Sequence, residues 1–353
     1  MKRMSAFLFF LLSLILWNVR EGYGNTDYSF KHYNTNNGLS QNTVRSIFQD
    51  NLGFMWFGTK DGLNRFDGSN FKRFNFPSDG VLSDNVFHRI LQDNNDNIWV
   101  STEEGVYIYD IYKEQFLRFN KYTNDNDSVN GVVSEMVMDA GGGIWMSVES
   151  KGVFYYDKDV DLLTLYSFPI VEDGLKMVSL CPDNDQGVWV FPYSSPFLYI
   201  NKRTGEITQF NLVDDEELLL RAGEIQDVFS DQDNLLFLGT SQKGLIAVNT
   251  INKTHKILLD VDAYGEPIFV RAIERVDQNT LWIGTESGVY IYNMLTEEVI
   301  NLRHNPMMPG SLSDNAIYSV YKDRDGGIWV GSYFGGVNYY SNSRMLRHYA
   351  NAA

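Results

Sequence analysis

The chain has 353 residues, of which 14% are aromatic and 21% charged, a composition that excludes a disordered polypeptide. Its 29 Lys and Arg stand against 45 Asp and Glu, a formal net charge of −16, which argues against nucleic acid as a partner, because phosphate binding needs a basic surplus on one face. A single Cys excludes an intramolecular disulfide and a cysteine-built zinc site.

Residues 1–24 read as a secretory leader. Lys2 and Arg3 form a basic start, Ala6 to Trp17 is apolar apart from Ser13, and Gly22 and Gly24 are small residues suited to cleavage. The apolar run is short for a bilayer core of about 30 Å. The remainder is therefore expected to be secreted or periplasmic. From residue 25 to 342 the sequence repeats. The unit GLSQNTVRSIFQDNLGFMWFGTKDGLNRFD at 38–67 returns at 82–110 and 312–340, with weaker copies between. Its register is marked by Trp56, Trp99, Trp145, Trp189, Phe237, Trp282 and Trp329, spaced 43 to 48 residues apart.

Each unit divides into four short β-runs. In the first, these are Val44–Phe48, Phe54–Thr59, Leu63–Asp67 and Phe71–Phe74, separated by turns rich in Asp, Asn and Gly. Four strands in some 45 residues is the period of a propeller blade. The expected fold is all-β: one seven-bladed β-propeller of four-stranded antiparallel blades. Asp214–Arg221 is the one stretch expected to form a turn of helix. Eight candidate fourth strands accompany seven inner sets. Phe30–Tyr33 is expected to complete the last blade and close the ring. Met345–Tyr349 is then surplus, and residues 343–353 read as the start of a following element.

The motif at 38–74, 82–119 and 312–340 resembles the two-component regulator propeller repeat. The resemblance runs over residues 28–349 and is weakest at 175–210 and 225–259, where Pro192 to Pro196 and Phe237 depart from it. It implies a non-catalytic sensor module from the periplasmic half of a hybrid two-component histidine kinase. In that family the propellers help to detect glycan breakdown products. The resemblance further implies an oligosaccharide ligand, homodimerisation of the full-length protein, and membrane attachment only through a downstream helix.

Little in the sequence points to catalysis. The five His residues show no metal-ligand spacing, and neither a cofactor nor a metal is expected. Cys181 reads as a small buried hydrophobe. The Asp/Asn turns resemble the front of a calcium loop but lack its closing Glu. Two other readings remain. One is an enzyme on the same fold, similar to streptogramin lyase or to a sialidase, which a His–carboxylate cluster at one channel mouth would favour. The other is a structural spacer whose ligand binds elsewhere. The repeated Trp residues read as inter-blade packing.

Function is expected where the repeat is broken. Inside the first strands lie positions that differ from blade to blade: Arg45, His88, Arg89, Glu135, Gln226, Arg271 and Tyr318. Tyr193 and Tyr333, in the loops between second and third strands, add aromatics on the same face. These nine are the candidate ligand-binding residues. Such side chains suit a polyhydroxylated or acidic sugar, since Arg presents a donor fork to carboxylate or sulfate.

Overall fold

The computed structural model describes residues 19–21, 28–74, 86–110, 112–168, 178–184, 186–192, 196–213, 218, 223–231 and 234–341. They form seven antiparallel sheets in a ring. The first strands run Val44–Gln49, Phe87–Gln92, Val133–Met138, Val178–Asp183, Ile225–Asp231, Val270–Arg275 and Ile317–Lys322 in blades one to seven. Each packs on the next, and the seventh packs on the first. Phe30–Tyr33 pairs antiparallel with Val337–Tyr340, so the ring closes on the strand expected to close it. Val19–Glu21 runs parallel to Val299–Leu302 as a fifth strand of blade six, inside the stretch read as a leader. Met345–Tyr349, and all of 214–221 except residue 218, lie outside the described residues.

The second strands explain why the pattern reads as apolar runs rather than alternation. Met55–Thr59, Ile98–Thr102, Ile144–Val148 and Ile328–Ser332 are buried at every position. Each is covered on both faces by neighbouring blades, so neither face can be polar.

The Asp and the Trp of the repeat act together. Asp50 Oδ1 accepts the N–H groups of Leu52 and Phe54, closing the turn, while Oδ2 accepts the indole N–H of Trp56 at 2.7 Å. The same indole bond joins Asp93 to Trp99 (2.9 Å), Asp139 to Trp145 (3.3 Å) and Asp323 to Trp329 (2.8 Å). A buried indole needs an acceptor, and the turn carboxylate supplies it. The carboxylates are therefore committed to the fold. In blade four, Asp183 instead accepts the hydroxyl of Tyr199 at 3.0 Å. In blade five Phe237 has no N–H to give, and Asp231 pairs with Arg275 of blade six at 2.8 Å. In blade six Val276 stands at the Asp position.

Candidate functional site at the channel mouth

The first strands carry a defect with a purpose. Their pairing with the second strands shifts register between Val44 and Ser46, Phe87 and Ile90, Val133 and Glu135, Ile225 and Asp227, Val270 and Ala272, and Ile317 and Ser319. The skipped residues are Arg45, His88 with Arg89, Ser134, Gln226, Arg271 and Tyr318. A β-bulge frees one residue from the ladder and re-aims its side chain. Here six blades aim that residue at the same end of the channel. The next residue along ties neighbouring first strands together. Ser179 Oγ donates to the carbonyl of Ile225 at 2.7 Å, and Asp227 Oδ2 accepts the N–H of Ile273 at 2.7 Å.

The bulged residues line one cavity of about 510 Å³, to which Ser179 adds the contribution of blade four. Arg89 forks onto Glu135, with Nε 2.6 Å from Oε1 and Nη2 2.8 Å from Oε2. Arg271 is bonded to Glu286, and its guanidinium lies 4.2 Å from the ring centroid of Phe269 and 4.4 Å from that of Tyr318. Gln226 donates to Glu224 at 2.6 Å. Arg45 differs from the other two arginines: its Nη1 lies 3.4 Å from His88 Nδ1, and its buried Nε has no hydrogen-bond partner.

The electrostatics are mixed. Three guanidiniums line the cavity with four carboxylates, those of Glu103, Glu135, Glu149 and Glu224. Burial first, then the charges of Arg45 and Arg89, lowers the pKa of His88 to about 4, so its imidazole is neutral at physiological pH. Asp227, below the mouth, is pushed up to about 6 by burial, against the pull of Arg89. Such a cavity offers alternating donors and acceptors around aromatic faces, with one arginine unmatched by a carboxylate. That is the chemistry of a hydroxyl-rich ligand with a localised negative charge.

Comparison with known proteins agrees with the repeat. Residues 38–61, 81–104 and 311–334 match the family described as "Two component regulator propeller". The chain carries the two-component regulator propeller repeat. A 56-residue stretch, 16% of the chain, is 48% identical to histidine kinase P4 of Formosa agariphila, of which it covers 4%. The fold is similar to the extracellular domain of a hybrid two-component system of B. thetaiotaomicron. There the TM-score is 0.72 at 24% identity, over 90% of this chain and 42% of that one. It is also similar to PorZ, a surface component of the type-IX secretion system of Porphyromonas gingivalis. That match has a TM-score of 0.66 at 15% identity, over 86% of this chain and 47% of the other. The propeller thus spans less than half the length of these solved structures.

Seven of the nine candidates meet in the cavity: Arg45, His88, Arg89, Glu135, Gln226, Arg271 and Tyr318. Tyr333 lies beside the cavity, behind Tyr318. It stacks on Tyr318 with centroids 5.4 Å apart and accepts a hydrogen bond from Lys60 at 2.7 Å, which lowers its own pKa. Tyr193 lies outside the described residues. Sequence reasoning missed Glu103, Glu149, Glu224 and Phe269. The first two share a signal with Tyr333. Each follows directly on a second strand, a column that also holds Lys60 and Glu286 and varies in charge from blade to blade. Cys181 is buried, and burial pushes its thiol up to about 12, which leaves it inert.

Proposed function

We propose that this propeller is the extracytoplasmic, non-catalytic recognition module of a two-component signalling protein, and that its channel mouth binds a saccharide fragment carrying one acidic group. The observation that carries this reading is the bulge pattern. Six blades release non-repeating side chains, one each and two in blade two, at the same end of the channel. Phe269 and Tyr318 hold Arg271 between their rings at the mouth, Gln226, Glu224 and Ser134 supply polar groups for sugar hydroxyls, and Arg45 takes the carboxylate or sulfate. The surplus of carboxylates opposes a densely sulfated polyanion. Attachment to a kinase is supported by the repeat family and by the short match to a protein named as a histidine kinase.

The test is calorimetric titration of the propeller with neutral, singly acidic and multiply sulfated oligosaccharides. Singly acidic ligands are expected to bind best. Arg45→Ala should weaken them by about 10- to 100-fold, the worth of a charged hydrogen bond, and Tyr318→Ala by roughly 3- to 10-fold, through loss of the stacking that holds Arg271 in place. Equal binding by the three classes, or no effect of Arg45→Ala, would refute the assignment.

A second reading, a lyase-type enzyme, is favoured by one contact: His88 Nε2 lies 3.4 Å from Glu103 Oε1 at the mouth. The pair is poorly aligned for hydrogen bonding. An imidazole with a pKa near 4 is also a weak proton acceptor. Turnover of a polysaccharide that His88→Asn abolishes would establish this reading over the first.

A further inference from the structure

A second cavity, of about 490 Å³, opens between blades five and six, away from the channel mouth. Its origin is legible in the repeat. Phe237 stands where the six other blades carry Trp. Its cross-strand neighbour is Ala247, whereas the Trp residues pair with Arg65, Ile108, Tyr155, Tyr199, Ile291 and Tyr339. Two adjacent side chains are thus cut down at one spot. Cross-strand neighbours share one face of the sheet, so both reductions empty the same inter-blade space. The corresponding cleft between blades six and seven, where Trp282 is present, measures about 340 Å³.

The emptied space has aromatic and soft apolar walls, Phe237, Leu235 and Met294, and a polar remainder that includes Asn249, Asn279 and the Lys256–Glu297 ion pair. At its inner end, Asp231, bonded to Arg275 at 2.8 Å, holds the position whose carboxylate accepts an indole N–H in blades one, two, three and seven. We infer that this cavity is a binding site for a small planar aromatic molecule of indole size, bearing one N–H or O–H at its edge. Such a ring would lie where the sister blades place their own indole, against Phe237 and the Met294 thioether, with its edge donor toward the Asp231–Arg275 pair. The site is chemically unlike the mouth, which is built for hydroxyls and charge.

Indole itself is the probe. Ligand-observed NMR and thermal melting of the whole chain should show saturable binding and a rise in melting temperature with indole concentration. Phe237→Trp restores the repeat, so it should fold, melt higher than the parent without ligand, and lose indole binding by 10-fold or more. Ala247→Tyr fills the same space from the neighbouring strand and should act alike. Absence of saturable binding to the parent would overturn the inference and mark the space as a solvent-filled cleft. Equal binding to Phe237→Trp would also overturn it, because the ring would then sit elsewhere.

Discussion

At the residue scale, the turn Asp carries more than its sequence suggests. The Asx turn was visible in the spacing, but the indole bond was not, because nothing in a linear sequence says that a side chain six residues on folds back over the turn. Asp50 is fully buried and accepts from Leu52, Phe54 and Trp56. Asp50→Ala leaves the buried Trp56 indole N–H without its acceptor, at about 1–3 kcal/mol, and removes the acceptor of the part-buried Leu52 and Phe54 N–H groups. A loss of about 1–3 kcal/mol in urea unfolding is expected. Phe237→Trp should move stability the other way.

At the element scale, the four-stranded unit and the closing role of Phe30–Tyr33 were legible because Gly and Asn turns punctuate β-rich runs at a fixed period. The bulges were not. A bulge adds one unpaired residue, and which residue leaves the ladder is decided by backbone hydrogen bonding that the apolar pattern does not spell out. Yet the bulged positions were recoverable as the places where the repeat stops repeating, which is why Arg45, Gln226 and Tyr318 could be picked out. The closing strand carries its own prediction. Tyr33 is buried, with its ring 5.0 Å from Phe66 of blade one and 5.9 Å from Trp329 of blade seven. Tyr33→Ala should cost about 3–5 kcal/mol, like other large aromatic truncations in a core. Because the seam between the last and first blades is then weakened, denaturant unfolding should also broaden.

At the scale of the whole molecule, buried titratable groups around the channel set the pH response. Burial raises Asp227 to about 6, and burial with the neighbouring Asp227 charge raises Glu274 to about 8, while His88 is lowered to about 4. A raised carboxyl contributes stability that is present at low pH and lost as pH climbs through its folded value. A lowered histidine does the reverse, destabilising as pH falls below its unfolded value. Asp227 and His88 therefore oppose each other between about pH 4 and 6.5 and largely cancel. Above that window only Glu274 of the three still titrates. Stability should fall by about 1–2 kcal/mol from pH 6.5 to pH 8, and Glu274→Gln should abolish the fall. Urea midpoints at the two pH values measure it.

The central claim is that the bulged residues of six blades form one ligand site at the channel mouth. Hydrogen-exchange footprinting of the propeller, with and without a singly acidic oligosaccharide at saturating concentration, tests it most directly. Slower exchange is expected at the starts of the first strands around Arg45, His88, Ser134, Gln226, Arg271 and Tyr318, with little change at the turns on the opposite face. Protection confined to the outer strands or to that opposite face, with none at the six bulges, would contradict it.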